Sequence, residues 1–458
     1  MQKLFDEVAS LDRRCYEKFF LNEDILMEHA ADGMACYIRD NFEKNSKIVV
    51  VCGSGNNGAD GTALARLLHK SYDISILRAK KPASKMALLQ QNRAFSIGVK
   101  EITELESCDV LVDAIVGTGY SGCLSDELSL LIDKMNSVNA FKIACDIPSA
   151  FAFRADVTLT MGALKKSMFL DSAKDMVGDI KVLDLGVSRE IYEKESNWRV
   201  LDLEDLKLPN RTKKDSHKGS YGHLAIASGE KSGASIMSAL SAFRFGSGLV
   251  TLVGFEEIEI PHTLMYSHEV PKGATALALG MGLGVEFSEI ELAKFLDNSL
   301  SLVADADIFC MPIVLEILKR ENVVITPHPK EFVSLLKITK VADISADELQ
   351  KERFKYAESF CKKFPHIVLL LKGANVIIGK NDNFFINPHG TPSLAKGGSG
   401  DVLSGLIASL LAQGYECLDA AINGSLAHAK LALNYKGADF SLTPDDLIDE
   451  ISRLEETK

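Results

Sequence analysis

Two glycine-rich stretches of the chain each carry a carboxylate where phosphate chemistry uses one. The first, Gly53-Ser54-Gly55-Asn56-Asn57-Gly58-Ala59-Asp60-Gly61, follows the apolar run KIVVVC and precedes the helical run TALARLLHK. Glycines before a helix let backbone N–H groups approach an anion at the end where the helix dipole favours negative charge. The same glycines also suit a plain structural turn. Asp113, ahead of Gly117-Thr118-Gly119, and Asp146 in DIPS, with Ser149 close behind, end two further apolar runs. Amide and carboxylate oxygens gathered in this way suit a hard cation, or simple solvation. The second stretch is Lys396-Gly397-Gly398-Ser399-Gly400-Asp401, ahead of VLSGLIASLLAQG. Glycine amides there form an anion hole, and Asp401 stands where it can take a proton from a hydroxyl, as phosphoryl transfer to an alcohol requires. A carboxylate beside phosphate is unfavourable without a catalytic reason, which sharpens this second case.

The elements that must position these groups alternate between short Val/Ile-rich runs and longer amphipathic stretches, the pattern of parallel strands joined by crossover helices. In the first half the strand candidates are 47–52, 73–77, 109–116, 141–146 and 155–160. Carboxyl ends of strands in an open parallel sheet converge on one crevice, which would gather Asp113 and Asp146 with the glycine loop. Apolar periodicity fades between Gly186 and Gly219, so the expected domains are 1–195 and 198–458. In the second, 223–228, 249–253, 275–279, 301–304, 323–326 and 366–371 read as strands. A pair of Ala/Leu-rich helices is expected between Gly400 and Tyr435, and a short helix after Thr443-Pro444.

A chain of 458 residues exceeds one ordinary core, and two domains are expected. The formal net charge of −12 argues against a role on nucleic acid or anionic membranes, which depends on clustered Lys and Arg. Apolar stretches such as HIVLLLKGANVIIG are broken by charge or glycine before membrane-spanning length. The N-terminus has no apolar run of signal-peptide length, and the nine cysteines show no C-x-x-C pair or zinc-like spacing. Buried reduced thiols, a cytoplasmic location and a homo-oligomer are the expectations.

The run CGSGNNGADG, with DAIVGTG, ACDIPS, ADVTLTMGALK and VGDIKVLDLGVS, resembles the NAD(P)H-hydrate epimerase domain, and LDRRCYEKFF…ILMEHAADGMA looks like its opening helix pair. The resemblance implies a Rossmann-like three-layer α/β domain. It implies that Asn56, Asn57, Gly58, Ala59 and Asp60 line the hydrate site and that Asn57, Asp113 and Ser149 bind potassium. Gly117, Thr118, Gly119, Tyr120, Ser121, Gly122 and Cys123 would cover the phosphate-bearing part of the ligand. Asp146 would act at C6, the epimerised carbon, with Lys80 or Lys81 as a helper. Two departures are Ala150, where the family usually has Gly, and His29, where it has Asn; the first removes backbone freedom beside Ser149.

GSGD, with LLKGANVII upstream, resembles the ribokinase-like three-layer α/β fold. HKGSYGHLAIASG, SGASIMSALSAFRFGSGLVTLV, LGMGLG, ITPHPKEF and LAKGGSGDVLSGLIASLLAQG narrow the likeness to NAD(P)H-hydrate dehydratase. That implies Ala234, Gly282 and His328 on the hydrated cofactor, and Lys372, Gly373, Ala374, Asn375, Val376 and Gly400 on the adenine nucleotide. Asp401 would be the base, and magnesium would bridge the phosphates of ADP or ATP. Hydroxide leaves poorly and phosphate leaves readily, so phosphorylation should precede elimination. Met281 and Phe309 depart from the family pattern, and His328 between two prolines also suits a braced turn. Two rivals stand beside this reading. One is a small-molecule kinase for a vitamin-precursor alcohol, which has no need of the first half; the other is a catalytically degraded nucleotide-binding protein.

Overall fold

The computed structural model describes residues 1–119, 122, 124–255, 258–284, 287–296 and 299–456. It divides into two compact units, Lys3–Ser196, and Asn197–Lys458 together with Met1–Gln2.

In the first unit the strands are β1 (Gln2–Phe5), β2 (Lys47–Cys52), β3 (Asp73–Arg78), β4 (Lys100–Ile102), β5 (Val110–Ala114), β6 (Phe141–Cys145), β7 (Val157–Met161), β8 (Leu164–Lys165) and β9 (Asp179–Leu183). Seven form a parallel sheet in the order β4-β3-β2-β5-β6-β7-β9, and β1 pairs with β8. Apolar residues run almost without a break through the central strands because both faces are covered. Ile48, Val50, Val110, Val112, Ile143 and Leu159 pack with residues of the helices Ala9–Lys18, Glu23–Asn41 and Asn56–Leu68. Val49, Val51, Leu111 and Ala144 pack on the other side with Leu128, Ile132 and Met135 of the helix Asp126–Ser137. Strand order reverses at β2, so the crevice between the ends of β2 and β5 is where such a sheet binds ligands.

The second unit holds β10 (Trp198–Val200), β11 (His223–Ala227), β12 (Leu249–Val253), β13 (Met265–Ser267), β14 (Ala276–Leu279), β15 (Ser301–Ala304), β16 (Val323–Ile325), β17 (Val368–Leu371), β18 (Val376–Lys380) and β19 (Asn383–Asn387). Their order is β13-β12-β11-β14-β15-β16-β17-β18-β19-β10, parallel as far as β17 and antiparallel through β18 and β19. Alternate residues Leu224, Ile226, Ala276, Ala278, Val303 and Val324 share one core with the helices Ser232–Arg244, Ser399–Ala412 and Cys417–Asn434. Met281 and Phe309, the two departures noted above, are both fully buried.

The eight cysteines within the described residues are all free, six of them buried, with Cys36 and Cys310 exposed. No described helix is long and apolar enough to cross a membrane.

Candidate active sites

The helix after β2 starts at Asn56, six residues earlier than the apolar pattern implies, so Asn57 to Gly61 form its first turns. Close approach accounts for the glycines. A Cβ on Gly58 would lie 2.1 Å from the Gly53 carbonyl oxygen, and one on Gly61 would lie 2.5 Å from the Ala114 methyl. Gly55 is the N-cap and provides no side-chain cap, so first-turn amides are left for a ligand. A cleft of about 520 Å³ opens there, lined by Asn56, Asn57, Asp60, Gly117, Thr118 and Gly119, among others. Gly58 and Ala59 are not on it: this tight packing buries both beneath the loop. Gly122 has φ 134° and is exposed. Tyr120, Ser121 and Cys123 lie outside the described residues.

Asp146 reaches the cleft from the end of β6 with a positive φ of 70°, an uncommon conformation for a residue other than glycine. Its Oδ1 accepts from the Lys165 ammonium at 2.6 Å and the Met161 N–H at 3.1 Å. Lys165, the last residue of β8, is 0% exposed and also donates to Thr160 Oγ1 at 2.7 Å and the Met161 carbonyl at 3.2 Å. Lys80 and Lys81 are exposed, and Lys165 is the ammonium that meets Asp146. Two more cleft residues escaped the sequence reading. Tyr192 donates to Asp12 at 2.7 Å across 180 positions of chain, a pairing no local pattern announces. Burial pushes Asp12 up despite that hydrogen bond, and pushes Asp60 well above the usual carboxylate range, with Asp146, Asp12 and Glu23 adding repulsion.

Asp113 and Ser149 are both 0% exposed. Ser149 donates to Asp113 through its hydroxyl at 2.6 Å and its backbone N–H at 2.7 Å, and burial still holds Asp113 up at about 6. The Val116 carbonyl lies 3.3 Å from the Ser149 hydroxyl, and the buried Asn57 Nδ2 has no partner among the described residues. A buried carboxylate without a cationic neighbour, with a hydroxyl and a carbonyl oxygen close by, is a donor set that suits a hard cation. Ala150 takes φ 51° and ψ 21°, the left-handed conformation that explains the preference for glycine there. His29 packs on Gly186, where a Cβ would lie 2.7 Å from its ring.

In the second unit the ends of β11, β14, β15, β16 and β17 lead in turn to Ala234, Gly282, Asp305, His328 and Lys372. Gly282, at φ 67°, packs so closely that a Cβ would lie 3.1 Å from that of Ala234. Lys372, at the start of the turn 372–375 between β17 and β18, pairs with Asp305 Oδ1 at 2.6 Å. Asp305 Oδ2 accepts from Ser404 at 2.6 Å. The Lys372 ammonium also lies 3.2 Å from where a Gly400 side chain would begin, so it faces the glycine-rich helix start. That helix begins at Ser399, its N-cap Gly398 is left-handed at φ 89°, and Asp401 is its third residue. Desolvation raises Asp401 to about 6; Asp305 and Asp307 push the same way and Lys372 opposes them. Behind the loop, buried His428 shares a 3.1 Å hydrogen bond with Ser399, and desolvation lowers it to about 4, so its ring is neutral.

His328 caps the helix Pro329–Ile338: its Nδ1 accepts from the Glu331 N–H at 3.2 Å, and its own N–H donates to the Glu331 carboxylate at 2.7 Å. The braced turn is therefore real, and His328 remains half-exposed at the edge of the same group of charges. Burial raises Glu331, which the sequence reading passed over, to about 7. Among the described residues no set of three or more His, Cys, Asp or Glu side chains is grouped to hold a metal.

A family model described as NAD(P)H-hydrate dehydratase matches residues 224–453, and one described as the YjeF-related protein N-terminus matches residues 23–167. The bifunctional NAD(P)H-hydrate repair enzyme of Helicobacter pylori is 43% identical, over 99% of this chain and 100% of that protein. The enzyme of the same name from Escherichia coli is 30% identical over 93% of this chain and 88% of its own. Among solved structures, the ADP/ATP-dependent NAD(P)H-hydrate dehydratase of Bacillus subtilis, co-crystallized with ATP/Mg2+, is 27% identical and covers 55% of this chain and 94% of its own, with a TM-score of 0.47. Full-length identity of this order, together with both family matches, establishes that the chain belongs to the bifunctional NAD(P)H-hydrate repair enzymes.

Proposed function

We propose that the chain repairs hydrated NADH and NADPH, the unit Lys3–Ser196 interconverting the R and S hydrates and the unit Asn197–Lys458 dehydrating the S hydrate with ADP, or ATP, as phosphoryl donor. The observation that carries it is Asp401 at the third position of a helix opened by left-handed Gly398, with the Lys372 ammonium against the same glycines. Backbone amides and Lys372 take the charge of the transferring phosphoryl group. Asp401 takes the proton of the C6 hydroxyl as its oxygen attacks phosphorus. The phosphate then leaves as the ring nitrogen pushes electrons toward C6, and loss of the C5 proton restores the dihydronicotinamide. Ala234, Gly282 and His328 border the hydrated cofactor, and Lys372 to Val376 with Gly400 border the nucleotide.

Magnesium would be bound with the nucleotide, whose phosphates suit a hard cation, and would offset their negative charge during transfer. Asn57, Asp113 and Ser149 are the residues that would hold potassium, which would offset the charge of the buried Asp113 carboxylate. Asp146 works at C6 in the first unit. A cytoplasmic homo-oligomer belongs to this reading; light scattering on purified protein tests the oligomeric part.

The deciding assay supplies a mixture of R and S hydrates of NADH with ADP or ATP and follows regained dihydronicotinamide absorbance. Full recovery is expected. No recovery with either nucleotide removes the dehydratase reading and leaves the kinase or the degraded nucleotide binder. Recovery of the S form alone removes the epimerase half.

A further inference from the structure

Asp60 and Asp146 line one cleft from different strand ends. Asp146 follows β6, Asp60 lies in the helix after β2, and β5 runs between those strands. The floor between is Ile115, Val116 and Gly117, from the end of β5. Inversion at a ring carbon needs a proton donor on one face and a proton acceptor on the other, and a cleft lined by two carboxylates from different elements can supply both.

The two groups have opposite surroundings. The Lys165 ammonium and the Met161 N–H both donate to Asp146 Oδ1. Asp60 makes no ion pair among the described residues, and the charged groups acting on it are Asp146, Asp12 and Glu23, all acidic. That environment favours the neutral acid.

We propose that Asp60 and Asp146 serve as acid and base on opposite faces of the hydrated nicotinamide ring, with Lys165 as the positioning residue that fixes Asp146 as the base. This rests on the epimerase reading of the first unit. The ring nitrogen pushes its lone pair toward C6, the C6–O bond breaks, and Asp60 gives its proton to the departing hydroxide. Water leaves, and an iminium cation remains between the carboxylates. A second water on the other face forms the new C6–O bond, Asp146 takes its proton, and the electron pair returns to nitrogen. One proton has moved from Asp60 to Asp146, and the enzyme in that form runs the reverse epimerisation directly.

The test uses the full chain and purified R hydrate, without nucleotide, in 18O-labelled water. The expected result is one solvent oxygen at C6 per inversion, with Asp60→Asn and Asp146→Asn each slowing inversion by about 100-fold or more. Lys165→Met should lower kcat for inversion by about 10-fold while leaving KM near its wild-type value, and Lys165→Arg should restore kcat. Asp12, Asp60, Cys145 and Tyr192 are the other titratable groups that act on or with Asp146, and all four are unchanged in this pair of variants. A merely structural lysine would lower the melting temperature and leave kcat of the folded fraction in place, which overturns its assigned role. Inversion without solvent oxygen, or near-normal inversion by folded Asp60→Asn, overturns the two-carboxylate assignment. A wild-type chain that does not interconvert the hydrates at all defeats the epimerase reading itself.

Discussion

Asp401 carries two consequences that can be measured separately. Its folded pKa of about 6 lies above the unfolded value, so the native state holds the proton more tightly than the unfolded chain does between roughly pH 4 and 6. Native stability therefore falls as pH rises through that window. Asp401→Asn should gain about 1 kcal/mol in denaturant unfolding at pH 7, a figure discounted for partial exposure, and nothing at pH 4. The same variant should lose S-hydrate dehydration by at least about 100-fold while still binding ADP in calorimetry, because the backbone anion hole remains. In the wild type, dehydration should decline as pH drops below about 6, where the base becomes protonated. Ala150→Gly should stabilise the first unit by about 1 kcal/mol by relieving the left-handed alanine, read from its thermal transition. Asp146 and Asp401 were legible in the sequence because each ends a recognisable local pattern. Lys165 was not, since a lysine in MGALK looks like ordinary surface charge until β8 buries it beside Asp146.

Strands were easiest to read where parallel neighbours cover both faces, and β2, β12 and β15 match the expected limits residue for residue. Short or marginal strands escaped, among them β10 and the antiparallel pair β18 and β19, whose glycine and asparagine break the apolar run. The early start of the helix Asn56–Leu68 was also hidden. Gly58 and Gly61 are poor helix formers, retained because Gly53 and Ala114 press against them. The contact between the helices Ser232–Arg244 and Ser399–Ala412 obeys the same rule: a Cβ on Gly405 would lie 2.2 Å from the Ser238 carbonyl oxygen. Gly405→Ala should therefore cost about 1–3 kcal/mol in unfolding and also lower dehydration, since the helix it displaces carries Asp401.

Two compact units in one chain predict two calorimetric transitions. Saturating ADP, at about 100 times its Kd, should stabilise one of them by roughly 2.7 kcal/mol and leave the other where it was. A single transition moved as a whole by the nucleotide would show that the units unfold together. Apolar periodicity stops in the polar stretch between Gly186 and Gly219, and the compact units part at Ser196 and Asn197, whereas the pairing of Asp12 with Tyr192 closes the first unit over a sequence distance no local pattern spans. Lys165 offers a direct way to watch that unit. Its amine has no contact with solvent, so an acylating reagent applied to the native enzyme should modify Lys80 and Lys81 and spare Lys165. Mass spectrometry of the Lys165 peptide then times each opening of the unit, with the two exposed lysines serving as the internal reference.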